Sequence, residues 1–250
     1  MSDGDSASGF QRTALPTTAA SIAIGFDFDH TLGVDDGLER KALYAYANEL
    51  GRAPDPHDDG VRKRFEAILA EFRAGTISMD DMLARFAQSI GADPAATTAA
   101  RWQQHCYALV DELVRPLDGA RDVLAAFRTH GIPTAILTNG WTPLQQKKIA
   151  RALGDDALAM RILVSDAIHA VKPERAAFDI LVASLNLPRE RVWYVGDNAR
   201  GDVGGALAAG LRAVWFNWEN QTYPQDVPKP TLIITALREL TKLAENTIAP

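Results

Sequence analysis

The sequence of 250 residues lacks several features that would each define a class of protein. It has a single cysteine, Cys106, which excludes an intramolecular disulfide and a cluster of cysteine metal ligands. No apolar run approaches the roughly 18 residues that a membrane-spanning helix needs. Basic residues are not in excess either, since 26 Lys and Arg stand against 32 Asp and Glu. The net charge of −6 therefore gives no indication that the protein binds a nucleic-acid polymer.

The first twenty residues have no basic stretch followed by an apolar one, so we expect no secretory signal there. They are rich in Ser, Thr, Ala and Gly, and we predict a loose tail over residues 1–19. Together with the cysteine count, this favours a cytoplasmic protein in a reducing compartment. The hydrophobic fraction of 47% is ordinary for a folded chain and excludes a wholly disordered one.

A short apolar run and then a long helical block follow the tail. Residues 22–26 are continuously apolar, which predicts a strand buried on both faces of a parallel sheet. From about residue 33 to residue 115 the apolar residues recur at helical spacing in four segments. Ser78 is the expected N-cap of the third segment. The pattern predicts a small bundle of four amphipathic helices.

From Pro116 onward, strand-like and helical segments alternate. The predicted strands are PTAILTN, RILVS, RVWYVGD, AVWFN and TLIIT, and we expect Asp118 to cap the helix before the first of them. Repeated strand–helix units imply an α/β fold with a parallel sheet and helices on both faces. The strand at residues 22–26 belongs to that sheet. Residues 20–32 and 116–250 are thus predicted to form one core, into which residues 33–115 are inserted.

Polar clusters follow four of the predicted core segments. The residues are Asp27, Asp29 and Thr31; Thr138 and Asn139; Lys172; and Asp197 with Asp202. Ligands of open α/β sheets bind outside the carboxyl ends of the strands. A Lys-Pro pair or a Gly-Asp pair alone is usually only a turn. An acid that ends an apolar strand is harder to explain, because burying it needs a cation or a hydrogen-bond donor.

Together the clusters resemble the four ordered motifs of the haloacid dehalogenase-like (HAD) superfamily, phosphatase type. Residues 27–31 read Asp-Phe-Asp-His-Thr and match its first motif, and Thr138 matches the second. Lys172-Pro173 matches the third, and Gly196-Asp197 with Asp202 matches the fourth. The resemblance covers roughly residues 20–245. It implies a Rossmann-like, doubly wound core with residues 33–115 as a helical C1 cap.

The resemblance also implies a mechanism. Asp27 would be the nucleophile that forms an aspartyl-phosphate, and Asp29 would protonate the leaving group and then activate water. A Mg²⁺ cofactor would be held by Asp27, Asp197 and the backbone carbonyl of Asp29, all hard oxygen ligands.

The remaining motif residues would bind and neutralise the substrate phosphate. Thr138 and Asn139 would contact the phosphoryl oxygens. Lys172 would be both catalytic and phosphate-binding, with its charge set against the phosphate and Asp27. Asp202 would support the site by orienting Lys172 or a metal-bound water.

The expected function is hydrolysis of a small phosphorylated metabolite, with neither a nucleic-acid polymer nor a membrane as partner. A phosphomutase or phosphotransferase shares this site and stays open. A 2-haloacid dehalogenase is disfavoured, because those relatives lack the second acid that Asp29 provides. A non-catalytic binding protein is disfavoured by the complete set of motif residues. Trp141 could line the substrate entrance or cover the sheet edge. The sequence leaves open the substrate, the cap residues that select it and the oligomeric state.

Overall fold

The computed structural model describes residues 22–246, and the tail predicted at residues 1–19 lies outside them. The centre of the molecule is a parallel sheet of six strands. In spatial order these are β5 (Arg161–Val164), β4 (Thr134–Thr138), β1 (Ala23–Phe26), β6 (Val192–Gly196), β7 (Arg212–Phe216) and β8 (Leu232–Ile234). Strands β4 and β6 flank β1 although neither follows it directly in sequence, so the chain winds outward from β1 in both directions. The predicted α/β class with a Rossmann-like, doubly wound parallel sheet is confirmed.

Alternate residues of the strands enter two hydrophobic layers. Ile24 and Phe26 pack on the side of α5 (Ala120–Thr129), α6 (Thr142–Leu153) and the last helix, while Ala23 packs on the opposite side. That opposite layer is formed by α8 (Arg175–Leu185) and α9 (Gly205–Ala208). Because both faces are covered, the strands are continuously apolar, as their sequence suggested.

The helical block lies between β1 and α5. It contains β2 (Gly33–Val34), α1 (Leu38–Glu49), α2 (Asp59–Arg73), α3 (Met79–Ser89), α4 (Ala99–Leu113) and β3 (Arg115–Pro116). Strands β2 and β3 pair antiparallel, with Gly33 opposite Pro116 and Val34 opposite Arg115. The block therefore enters and leaves the core through one short paired ribbon.

Local chemistry explains where the helices start and stop. The hydroxyl of Ser78 accepts a hydrogen bond from the Asp81 N–H at 3.1 Å, and the Asp81 carboxylate accepts one from the Ser78 N–H at 3.3 Å. This is the capping box of α3. Gly75, which follows the end of α2, has φ of 70°, a left-handed conformation that glycine adopts without strain.

The structure differs from the sequence pattern at two helix starts. The residue that precedes α5 is Gly119, with φ of 76°, and not the predicted cap Asp118. The helix expected from Asp202 begins earlier, as a π-helical turn over Ala199–Gly204 that continues into α9. Two short helices complete the described part of the chain. These are α7 (Ser165–Ile168), between β5 and α8, and α10 (Thr241–Asn246), after β8. Within residues 22–246, no helix is long and apolar enough to span a membrane.

Candidate active site

The four polar clusters meet at the carboxyl edge of the sheet. Asp27 directly follows β1, Thr138 ends β4 and Asp197 follows β6. Because β4, β1 and β6 are parallel neighbours, their carboxyl ends lie side by side. The loop between α7 and α8 brings Lys172 over this edge, with its ammonium nitrogen 2.6 Å from Oδ1 of Asp27.

The Lys172 ammonium is buried among oxygen atoms. Besides Asp27, it contacts Oδ1 of Asp202 at 2.7 Å and the hydroxyl of Tyr194 at 2.9 Å. The Tyr194 hydroxyl in turn donates to the carbonyl of Leu137 at 2.7 Å. Burial alone would lower the pKa of Lys172, but the carboxylates of Asp202 and Asp27 raise it well above its ordinary value. The site thus contains a fixed positive charge at neutral pH.

Three carboxylates crowd around one point of this edge. Oxygen atoms of Asp27, Asp197 and Asp202 all lie within 4.8 Å of one another. Burial, together with the nearby charges of Asp202 and Asp29, raises the pKa of Asp27 from 3.8 to about 7 in spite of Lys172. Burial likewise raises the pKa of Asp197 to about 8, again with help from Asp202 and Asp27. One ammonium does not neutralise this cluster.

The donor set fits a divalent cation that prefers hard ligands. Every ligand atom offered is a carboxylate oxygen, and the raised pKa values show that the acids repel one another in a poorly solvated place. The Asp197 carboxylate also lies 3.5 Å from the Thr31 hydroxyl, and its main-chain carbonyl accepts from the Trp215 indole N–H at 2.7 Å. Asp197 is therefore held in place from two sides.

Gly196 makes room for Asp202. The second oxygen of Asp202, Oδ2, accepts a hydrogen bond from the Asn198 N–H at 3.0 Å, while Oδ1 contacts Lys172. A Cβ atom at Gly196 would stand 2.3 Å from that Oδ2. Gly196 therefore does more than form a turn. Because it has no side chain, Asp202 can reach Lys172.

Asn139 and Thr138 are held by neighbours within the site. The Asn139 side chain exchanges two hydrogen bonds with the backbone of Lys172, at 2.9 and 3.0 Å. This amide therefore fixes the lysine loop. The buried hydroxyl of Thr138 accepts from Nε2 of Gln145 at 3.0 Å. The N–H of Gly140 donates to the Ser165 hydroxyl at 3.0 Å.

The side chain of Asp29 turns away from the other acids. Its Oδ2 accepts from Nε2 of Gln145 at 2.7 Å, and its Oδ1 lies 2.5 Å from the ammonium of Lys148. Sequence reasoning missed both partners. The available signal was that Gln145 and Lys148 interrupt the apolar face of α6 three residues apart, between Leu144 and Ile149.

A cleft of about 390 Å³ separates the turn between α2 and α3 from the core loops that follow β4 and β5. Arg73, Ile77 and Met79 line it from the helical block, and Gly140, Trp141 and His169 from the core. The Trp141 ring also packs on Trp102 and Tyr107 of α4, with ring centroids 5.7 and 5.5 Å apart. Trp141 therefore lies between this cleft and α4.

Comparisons with known proteins agree with this geometry. A family model described as haloacid dehalogenase-like hydrolase matches residues 23–210, so the chain belongs to this family of hydrolases. It is similar to the pyrimidine 5'-nucleotidase YjjG of Escherichia coli, with 33% identity over 53% of this chain and 58% of the relative. It is also similar to (S)-2-haloacid dehalogenase 2 of a Pseudomonas species, with 28% identity over 52% of this chain and 56% of the relative. The chain spans little more than half the length of these two relatives.

Two further similarities extend over most of the chain. A phosphoglycolate phosphatase of Pseudomonas putida is 29% identical over 93% of this chain and 82% of its own length. The structure of the HAD hydrolase YfnB from Bacillus subtilis, bound to magnesium, superposes with a TM-score of 0.70 over 89% of this chain and 98% of that one. At 21% identity, this last similarity shows the shared fold.

Proposed function

We propose that the protein is a Mg²⁺-dependent phosphatase that hydrolyses a small phosphomonoester through an aspartyl-phosphate on Asp27. The observation that carries this proposal is the buried contact of 2.6 Å between Lys172 and Asp27 beside two more carboxylates. A carboxylate placed this way has one oxygen engaged by a cation and the other available for attack on phosphorus. The phosphatases among the relatives support the same reaction class.

The proposed reaction has two steps. A carboxylate oxygen of Asp27 forms a bond to phosphorus while the bond between phosphorus and the leaving oxygen breaks. Asp29 gives its proton to that leaving oxygen. In the second step Asp29 takes a proton from water, the water oxygen attacks the same phosphorus, and the bond to Asp27 breaks. Inorganic phosphate and the free Asp27 carboxylate result.

Lys172 and Thr138 stabilise the charge that develops on the phosphoryl group. The ammonium of Lys172 needs no movement to face both Asp27 and a phosphate beside it, since Asp202, Tyr194 and the Asn139 amide hold it in place. The Thr138 hydroxyl accepts from Gln145 and donates to the Asn139 carbonyl over a long 3.4 Å, and a small rotation would turn this donor to a phosphoryl oxygen. The side chain of Asn139 contributes by fixing the Lys172 loop.

We assign the metal to Asp27, Asp197 and the backbone carbonyl of Asp29. Bound there, Mg²⁺ would offset the repulsion between these acids and a phosphate dianion and would polarise a phosphoryl oxygen. Asp202 supports the site through Lys172, which its Oδ1 contacts at 2.7 Å.

Release of inorganic phosphate from p-nitrophenyl phosphate tests the proposal. We expect release with Mg²⁺, loss of release with EDTA and recovery when Mg²⁺ is restored. Asp27→Asn should show neither release nor a phosphoenzyme, whereas Asp111→Asn, the same change at an exposed acid of α4, should behave like the wild type.

Two results would contradict the proposal. One is turnover by Asp27→Asn at the wild-type rate. The other is chloride release from 2-chloropropionate by a chain that releases no phosphate, which would favour the dehalogenase activity named among its relatives. Transfer of the phosphoryl group to a second hydroxyl compound in place of water would favour a mutase.

A further inference from the structure

Two side chains of α6 bind the carboxylate of Asp29. Gln145 and Lys148 are each only 3% exposed, and each contacts a different oxygen of Asp29, at 2.7 and 2.5 Å. They are one helical turn apart, so both reach the same point from a single rigid element. Neither belongs to the four sequence motifs.

Lys148 is anchored on its other side by Asp35. Its ammonium lies 2.7 Å from Oδ2 of Asp35, while Oδ1 of Asp35 accepts the Gly37 N–H at 3.1 Å. Asp35 stands between β2 and α1, where the chain enters the helical block. Burial alone would lower the pKa of Lys148, but Asp29 and Asp35 raise it above its ordinary value. A single charged nitrogen thus joins Asp29 to the entrance of the block.

Helix α6 also contacts the helical block through its outer side. The ammonium of Lys147 donates to the Tyr107 carbonyl at 2.9 Å, and Arg151 donates to the Asp111 carbonyl at 3.1 Å, both on α4. These contacts fix the helix that carries Gln145 and Lys148. Because a carboxylate can rotate freely about its own bonds, the direction of its oxygens is set by such partners.

We propose that Lys148 is a positioning residue for the proton transfer of Asp29. It holds Oδ1 of Asp29 while Gln145 holds Oδ2, so that the carboxyl group meets the leaving oxygen in one orientation. This inference rests on the proposed phosphatase function. Asp29 acts as the acid in the first step and as the base in the second, and only the first of these, protonation of the leaving oxygen, differs from one substrate to another.

Leaving groups of different basicity separate positioning from a merely structural role. p-Nitrophenolate departs with little help from an acid, whereas the alkoxide of benzyl phosphate, which is of similar size, needs protonation. For Lys148→Met we expect kcat/KM on benzyl phosphate to fall on the order of ten- to a hundredfold more than kcat/KM on p-nitrophenyl phosphate. This ratio reports the steps up to departure of the leaving group, whereas hydrolysis of the phosphoenzyme is common to both esters. KM for both substrates should change little.

Two variants frame this result. Lys63→Met makes the same substitution at an exposed lysine of α2 and should keep the wild-type ratio of the two rates. Asp29→Asn should show the same selective loss as Lys148→Met. The double variant Lys148→Met/Asp29→Asn should lose no further selectivity, because both changes disable one step.

Equal losses on the two substrates would overturn the proposal, and so would additive losses in the double variant. If Lys148→Met does not fold, Lys148→Gln keeps a hydrogen-bond donor without the charge. The same selective loss is expected of it, and a wild-type ratio would overturn the proposal. A wild-type chain that hydrolyses neither ester would refute the phosphatase function itself, which distinguishes the two failures.

Discussion

At the scale of single residues, the site depends on a side chain that is absent. Asp202 reaches Lys172 only because Gly196 offers no Cβ atom, which would lie 2.3 Å from the Asp202 carboxylate. Lys172 is buried, and its ammonium is also held by Asp27 and by the Tyr194 hydroxyl. The exact place of this acid is therefore set by a neighbour six residues away.

Gly196→Ala should consequently inactivate the enzyme without unfolding it. The methyl group displaces Asp202, Lys172 loses one of its two carboxylate partners, and we expect kcat to fall on the order of 10²-fold. The matched control is Gly204→Ala in the same segment, where the new Cβ would meet its nearest neighbour at an ordinary 3.4 Å. Steady-state kinetics and circular dichroism of both variants check this. Wild-type turnover by Gly196→Ala would contradict the role given to Asp202.

The ion pair between Asp35 and Lys148 of α6 makes the free energy of unfolding depend on pH in the acid range. Burial would raise the pKa of Asp35, but the ammonium of Lys148 and the N–H of Gly37 lower it below the ordinary value of 3.8. A carboxyl group whose pKa is lowered on folding adds stability above its unfolded pKa, and this is lost as the pH falls through the folded pKa.

Asp35→Asn should therefore reduce the free energy of unfolding by on the order of 1–3 kcal/mol at neutral pH, a value between those of exposed and fully buried pairs. The difference from wild type should stay constant down to about pH 5 and shrink below about pH 4. Urea unfolding at a series of pH values measures it. A difference that grows toward low pH would contradict the assigned sign.

At the scale of elements, the helical block and the sheet share one hydrophobic cluster. The cluster runs from Phe26 and Phe127 of the core to Phe65 and Trp102 of the block without interruption. Trp141 is one core residue that joins the two parts, since it is 6% exposed and its ring packs on Trp102 of α4. The block is thus seated by apolar packing in addition to its two covalent connections.

Trp141→Ala should destabilise the chain by about 3–5 kcal/mol, because it leaves a large cavity between the two parts. Trp218→Ala is the matched control, since that ring is 38% exposed, and we expect a loss below about 1 kcal/mol. Urea unfolding of both variants measures the difference. Similar losses for the two tryptophans would show that Trp141 does not join block and core.

Elements with a clear periodicity were predictable, and short ones were not. The four helices of the block and the six strands of the sheet follow from repeats of 3.6 residues and from continuous apolar runs. The ribbon of β2 and β3 has two residues in each strand, too few for any alternation to show. The π-helical turn at Ala199–Gly204 has about one more residue per turn than an α-helix. This Gly-rich segment has too few apolar residues for their spacing to predict it.

At the scale of the whole molecule, the topology of the sheet explains which residues of the site can be predicted from the sequence. Asp27, Thr138 and Asp197 were predictable because each ends a strand, and parallel strands bring their ends together. Tyr194 lies within β6 and reads only as a core aromatic, although its hydroxyl contacts Lys172. Gln145 and Lys148 show in the sequence only as polar residues that interrupt the apolar face of α6. Their partner Asp29 lies 116 and 119 residues away, so no local pattern indicates what they contact.

The folded chain as a whole should respond to Mg²⁺, because its site gathers buried acids whose repulsion opposes folding. A cation that binds only the folded state adds stability by mass action, about 2.7 kcal/mol at a hundred times its dissociation constant. We expect Mg²⁺ to raise the melting temperature of the wild type and EDTA to reverse this, relative to NaCl of equal ionic strength. Asp197→Asn should abolish the shift, since it removes one carboxylate of the proposed metal site, while Asp111→Asn should keep it. Ca²⁺ should also stabilise the chain yet support little turnover, because its larger and looser coordination shell would misplace Asp27. Differential scanning fluorimetry and phosphate release, measured on the same samples, separate binding from catalysis. A melting shift retained by Asp197→Asn would place the cation elsewhere in the molecule.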